Sequence, residues 1–331
     1  MQRGAYSEQR CSCQERNSQR PLETSHYILL GMGKVSDSMY SGDSMRGRVC
    51  LVTGANRGLG KATALALARR GATVVLLGRD RARLDHAAAD ITRASGNADV
   101  GRIVVDLGSL ESVRTAADEV TRRFHAIHVL VNNAGVNLGR RMTSPDGFEM
   151  TFAVNHLGPF LLTNLLLPLL SAGAPSRIIN VTSWFERLGR IDFDDLHAER
   201  KRYSALGAYY QSKLANALFT YELAERLAGT GVTVNCVDPG LAATDLLRDR
   251  LWWSPRWLQP FWRATLLSPE RGARAAIHAA AAPQLEGVTG RCFGGGGRPR
   301  RTSRRSRDPA AQKRLWEVSG RLTGLAGSAS G

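Results

Sequence analysis

The stretch "VCLVTGANRGLGKATALALARR", Val49 to Arg70, joins a β-branched run to a helical pattern through a loop carrying Gly54, Gly58 and Gly60. Glycines at this position let the backbone turn tightly and approach a pyrophosphate, which the N-terminus of the following helix then attracts. Tight turns alone also select glycine. It is the placement between a first strand and a helix that makes nucleotide binding the better reading.

The rest of the chain repeats the same alternation. "VCLVT" (Val49 to Thr53), "ATVVLL" (Ala72 to Leu77), "GRIVVD" (Gly101 to Asp106), "HVLVNN" (His128 to Asn133), "SRIINVTS" (Ser176 to Ser183), "VTVNCV" (Val232 to Val237) and "GRCFG" (Gly290 to Gly294) read as strands. Amphipathic helices lie between them, and Ser109 is the expected N-cap of the helix after Asp106. Strands without polar alternation, separated by helices, imply a parallel sheet covered on both faces. The fold class expected is α/β: a single doubly wound, Rossmann-type domain over 45–325, with a parallel seven-stranded sheet flanked by helices.

Composition bounds the partners. The 331 residues are 43% hydrophobic and 22% charged, ordinary for a globular chain. Five cysteines make no disulfide framework: Cys50, Cys236 and Cys292 sit in apolar runs, and Cys11 and Cys13 lack further ligands at metal spacing. A soluble protein of a reducing, cytoplasmic compartment follows as the expectation, since no apolar run approaches the ~20 residues of a membrane span. The formal charge of +16 raises nucleic acid as a partner, yet six of the arginines fall in "RPRRTSRRSR", 298–307. That Pro- and Ser-broken stretch reads as a flexible, solvated basic loop, with phosphate binding as the other reading; no specific nucleic acid is expected. Residues 1–44 are polar and aperiodic, and read as a disordered tail or as an upstream extension with Met39 or Met45 as the true start.

"AYYQSKLANALF", Ala208 to Phe219, sets two tyrosines just ahead of a lysine. Tyr209 is four residues and Tyr210 three residues before Lys213, and both spacings share a helix face. A phenol with a pKa near ~10 exchanges protons readily at neutral pH only if its anion is stabilised, which a neighbouring ammonium does directly. Spacing leaves the choice between the two tyrosines open.

Taken together, the motifs resemble those of the short-chain dehydrogenase/reductase family, in order and over roughly Arg48 to Phe293. T-G-x-x-x-G-x-G is Thr53 to Gly60, D-L is Asp106-Leu107, N-N-A-G is Asn132 to Gly135, Y-x-x-x-K is Tyr209 to Lys213, and P-G-x-x-x-T is Pro239 to Thr244. Asn155 in "VNHLGPFLL" and Ser183 in "INVTSW" match the remaining catalytic positions, with Thr182 replacing the usual first serine of a pair. "FAVNHLGPFLLTNLLLPLL" and "RLWEVS" look most like the retinol-dehydrogenase-like branch.

The resemblance implies the roles. It selects Tyr209 as the proton donor to a developing alkoxide, with Ser183 polarising the carbonyl oxygen, Lys213 beside the nicotinamide ribose and Asn155 anchoring a water in a proton relay. Lowering the Tyr209 pKa from ~10 to near 7 takes about 4 kcal/mol at ~1.4 kcal/mol per unit, much of it expected from Lys213. Cofactor contacts are implied for Gly54, Asn56, Arg57, Gly58, Leu59, Gly60, Arg79, Asp106, Leu107, Asn133, Gly135, Tyr209, Lys213, Pro239, Gly240 and Thr244. Asn133 serves alternatively to tie neighbouring strands, and Asp106 to cap the helix after it. No membrane anchor precedes the fold, so a microbial-type relative is expected, and the family's habit implies a homodimer or homotetramer.

Two further readings concern ligands. NADP(H) is expected over NAD(H): the position where an NAD enzyme ends its second strand with a carboxylate is Gly78, Arg79 follows, and Arg57 lies in the glycine loop. Asp80 is the competing acid. A lipophilic carbonyl or alcohol substrate is expected because Trp252, Trp253, Trp257, Phe261 and Trp262 crowd the lid segment 244–267, although they could equally pack that segment or form a subunit contact. The alternative to an enzyme is a catalytically silent NADP(H)-binding regulator, which would normally have lost Tyr209 or Lys213. An epimerase or dehydratase of nucleotide sugars would carry G-x-x-G-x-x-G instead.

Overall fold

In the computed structural model, residues 45–240 and 268–325 are described. Seven strands form one parallel sheet in the order β3-β2-β1-β4-β5-β6-β7. They are β1 (Val49–Thr53), β2 (Thr73–Gly78), β3 (Val100–Val104), β4 (Val129–Asn132), β5 (Ser176–Val181), β6 (Val232–Val237) and β7 (Cys292–Phe293), the last shorter than its sequence suggests.

Both faces are covered, which is why the strands carry no polar alternation. Alternate residues of each strand turn to opposite sides: Cys50, Val52, Val74 and Leu76 join one core, Leu51, Val75 and Leu77 the other. The first core is closed by α1 (Gly58–Ala68), α2 (Arg81–Ser95) and α6 (Pro269–Ala281). The second is closed by α3 (Leu110–Arg123), α4 (Met150–Ala172) and α5 (Ala205–Arg226), against which α7 (Pro309–Leu322) packs through Leu315 and Trp316. Cys50, Cys236 and Cys292 are buried free thiols, as their apolar runs imply.

By length and composition α4 is long and apolar enough to cross a membrane, contrary to the expectation that no apolar run approaches that length. Its Leu161, Leu162, Leu166 and Leu170 lie against the sheet, so its apolarity is that of a core helix. Residues 153–157 widen into a π turn.

The basic stretch 298–307 leaves every arginine but Arg300 exposed, yet it is packed on the fold and ends in a 3-10 turn, Arg305–Arg307. Thr302 and Ser306 are buried, Tyr221 Oη and Thr302 Oγ1 lie 2.7 Å apart, and Gln312 donates to the Ser306 carbonyl at 2.8 Å. Two of its arginines meet partners distant in sequence: Arg300 pairs with Asp238, and Arg305 donates to the Gly189 carbonyl at 3.1 Å.

The topology places one crevice. Where the order reverses, between β1 and β4, the loops after the two strands diverge and leave a cleft at the carboxyl ends of the sheet.

Candidate functional site

The cleft holds about 690 Å³ and is floored by the glycine loop. Gly54 has φ +65°, and a Cβ there would lie 2.9 Å from Ala134 Cα. A Cβ on Gly60 would come within 2.4 Å of the Gly54 carbonyl oxygen, so this glycine is required by close approach alone. Gly58 is different: φ is +55° and its Cβ would meet nothing within 4 Å. Helix α1 starts there with no side-chain cap, whereas α2 and α3 are capped by Asp80 and Ser109. The floor thus offers open space beside uncapped backbone N–H groups, which fits a phosphate-bearing cofactor.

Neighbouring loops are tied to this floor. Thr53 Oγ1 accepts from the Asn133 and Ala134 amides at 2.9 and 3.0 Å, and Asn133 Nδ2 donates to the Thr53 carbonyl at 2.8 Å. Asn133 therefore joins β4 to β1, the structural reading of this residue, while still lining the cleft. Asp106 does not cap α3. It accepts from the Gly108 amide at 2.8 Å and so shapes the turn before the Ser109 cap.

Ser183, Tyr209 and Lys213 converge on the opposite wall. Ser183 ends the strand path of β5 and is 9% exposed; the 3-10 turn Trp184–Leu188 follows. Ser204 caps α5 through the Gly207 amide, and the helix then carries Tyr209 and Lys213 on one face. Ser183 stands beside the Tyr209 phenol, and Lys213 Nζ lies 5.6 Å from the Tyr209 ring centroid. Tyr210 instead stacks on Phe185, centroids 5.2 Å apart at 15°. The structure separates the two tyrosines that spacing could not.

Electrostatics at this wall departs from the expectation. Burial pushes the Tyr209 phenol up to about 12; the Ser183 side chain beside it opposes this and the Asp238 charge adds to it. Burial pulls Lys213 down to about 8, with Asp238 acting the other way. The anticipated fall of the tyrosine toward 7 is absent because desolvation penalises both ions and the ammonium faces the ring. Lys213 Nζ donates to the Val181 carbonyl at 3.1 Å.

Asn155 lies behind the cleft, fully buried in the π turn. Its Oδ1 accepts from Val136 N at 2.7 Å, and its Nδ2 donates to Val136 O and Ser212 Oγ, each at 2.9 Å. Both amide protons are thus committed to protein, leaving the side chain one acceptor site for a water. Ser212 Oγ donates to Tyr209 O at 2.8 Å, which links Asn155 to the tyrosine's own backbone.

Gly54, Asn56, Arg57, Gly58, Leu59, Gly60, Arg79, Asp106, Leu107, Asn133, Gly135, Pro239 and Gly240 all line the cleft. Thr244 and the lid aromatics lie outside the described residues. Sequence reasoning missed Arg83, Phe185 and Leu206, which also line it. Arg83 is one turn beyond Arg79, a signal that was available; nothing local marks the other two.

Comparison with known proteins adds the relatives. The family model for short chain dehydrogenase matches residues 48–253. The chain is 46% identical over 284 residues to retinol dehydrogenase 13 of Mus musculus, covering 85% of each. It is 43% identical over 297 residues to retinol dehydrogenase 14 of Homo sapiens, covering 85% of this chain and 88% of that one. Among solved structures, an uncharacterized protein from Mycobacterium paratuberculosis superposes with a TM-score of 0.70 at 37% identity, covering 84% of this chain and 94% of the other. A short chain dehydrogenase from Shigella flexneri, complexed with NADP, gives 0.62 at 25% identity, covering 76% and 98%.

Proposed function

The chain belongs to the short-chain dehydrogenase/reductase family, in its retinol-dehydrogenase-like branch, and is an oxidoreductase of CH–OH and C=O groups; from that premise we propose that it reduces a lipophilic carbonyl with NADPH, through Ser183, Tyr209 and Lys213. The convergence of these three side chains across the cleft from the glycine loop carries the reading. When bound, the nicotinamide supplies the hydride.

The protein's own part is proton and charge control. Ser183 Oγ donates a hydrogen bond to the substrate oxygen and holds it beside Tyr209 Oη. Tyr209 then gives its proton to that oxygen as negative charge develops. A phenol held near 12 is fully protonated at neutral pH, which suits donation to an alkoxide better than abstraction from an alcohol. Lys213 supplies positive charge below the tyrosine ring and would hold the nicotinamide ribose when the cofactor is bound; Asn155 fixes the Val136 loop and, through Ser212, the helix that carries Tyr209.

Preference for NADPH is supported by the end of β2. Gly78 offers no carboxylate, Arg79 and Arg57 line that end of the cleft, and Asp80 is engaged as the α2 cap and by Arg83 at 3.1 Å. A charge-assisted contact to a 2′-phosphate contributes roughly 1.5–3 kcal/mol. A lipophilic substrate is supported by the Phe185–Tyr210 stack and exposed Leu206 on the cleft wall, and by the names of the mammalian relatives. Turnover of short polar and long apolar aldehydes and ketones, with NADPH and NADH, tests both parts. The expected result is higher kcat/KM for the apolar set with NADPH; equal values across the set refute the substrate class.

A further inference from the structure

After β7 the chain turns back and runs beside it. Gly294 N donates to the Arg298 carbonyl at 2.8 Å, and Arg300 N to the Cys292 carbonyl at 2.7 Å. The strap that follows crosses the turn after Ser183, where the buried Glu186 accepts from Ser303 N at 2.7 Å and Ser303 Oγ at 2.6 Å. Before it does so, the Arg300 guanidinium pairs with Asp238, whose side chain is 3% exposed. The other oxygen of that carboxylate accepts from Gly240 N at 2.9 Å and closes the Pro239–Gly240 turn on the cleft wall. A carboxylate so deeply buried is tolerated only with partners of this kind.

We propose that Arg300 is a positioning residue of the site: paired with Asp238, it holds the Pro239–Gly240 turn at the cleft and tempers the negative field that Asp238 exerts on Tyr209 and Lys213. The inference rests on the roles proposed above for those two residues. It assigns a task to an arginine that composition alone marks as surface charge.

The charges around Asp238 come from several elements. Arg300 and Arg301 belong to the strap, Glu186 and Arg187 to the turn after Ser183, and the Cys236 and Cys292 thiols to β6 and β7. From α5, Tyr209 and Lys213 both feel the Asp238 charge, and Tyr210 adds a smaller effect on Tyr209. An unmasked carboxylate favours the ammonium and disfavours the phenolate, so both groups would titrate higher without Arg300. Neutralising Asp238 has the opposite sign.

The test uses two readouts on Arg300→Met, Arg300→Lys, Asp238→Asn and the double variant Arg300→Met/Asp238→Asn. One is the titration of Lys213 in cofactor-free protein, followed by NMR of isotope-labelled lysine side chains and assigned with Lys213→Met. The other is the alkaline limb of kcat/KM for carbonyl reduction. Arg300→Met is expected to move both upward by about half a pH unit or more. Asp238→Asn moves both downward, Arg300→Lys restores the wild-type values, and the double variant matches Asp238→Asn alone. The proposal is overturned if folded Arg300→Met leaves the Lys213 titration unmoved, or if its shift persists in the double variant. Should Arg300→Met fail to fold, an unmoved Lys213 titration in Asp238→Asn overturns it equally. A Tyr209→Phe variant that keeps full turnover would instead refute the assigned catalytic roles, and the Lys213 titration still decides the pairing.

Discussion

Lys213 Nζ sits 5.6 Å from the centroid of the Tyr209 ring, four residues earlier on the same helix, while the tyrosine hydroxyl is turned to Ser183. The ammonium therefore lies under the ring and bonds the Val181 carbonyl, and it does not salt-bridge the phenol oxygen. Both groups are pushed toward their neutral forms by burial.

The pH dependence of carbonyl reduction follows. Protonated Tyr209 and protonated Lys213 form the active state, and Lys213 titrates first, at about 8. The value of kcat/KM for reduction is expected to be flat below that pH and to fall as pH rises through it, reporting the free enzyme. Alcohol oxidation needs the phenolate, and is expected to rise only at higher pH, as Tyr209 ionises toward about 12. A reduction profile that stays flat far above pH 8 counts against Lys213 as the titrating group.

Tyr209→Phe should cut turnover by about 10²–10⁴, the usual worth of a positioned general acid, with NADPH binding preserved. Tyr210→Phe keeps the stack on Phe185 and should retain at least roughly a tenth of the rate, since only a hydroxyl remote from Ser183 is lost. Steady-state rates and fluorescence titration of NADPH check the pair, and reversed outcomes would show that the register is wrong.

The two glycines of the loop are expected to fail differently. Gly60→Ala drives a methyl into the Gly54 carbonyl and the Asn133 amide, so both thermal stability and cofactor affinity should drop. Gly58→Ala meets no atom but must hold φ +55°, at a cost of about 1–2 kcal/mol. Its larger effect should be on NADPH binding, because the methyl occupies the open floor. Melting curves with and without NADPH separate the cases.

Arg79→Ala should lower the NADPH over NADH ratio of kcat/KM by roughly tenfold or more, corresponding to one lost charge-assisted contact. A wild type that prefers NADH, or a ratio the substitution leaves alone, removes the assignment.

Much of the fold and site was legible because its signals are local. Strands buried on both faces must be continuously apolar, and the loop glycines, Ser183, Tyr209 and Lys213 each stand at a fixed distance from a strand or on one helix face. What escaped depends on partners far along the chain. The basic stretch 298–307 signals solvation until the fold brings Asp238 to Arg300 and Glu186 to Ser303. Phe185 lines the cleft where it stacks on Tyr210, and Asn155 in the π turn bonds Val136 and Ser212, partners that no local sequence signal names. The direction of the Tyr209 shift was misread for the same reason, since desolvation is a property of the packed wall and not of the spacing between two residues.

The clamp of Ser303 on Glu186 joins positions 117 residues apart. A ribosome adding about 5–20 residues per second reaches Ser303 roughly 6–23 seconds after Glu186. Six of the seven strands have been synthesised well before then, so the sheet can begin to assemble while the turn behind Ser183 is still unpinned. The wall behind Ser183 is therefore pinned later than the sheet that carries it, and a chain lacking Ser303 would hold the scaffold without that pin.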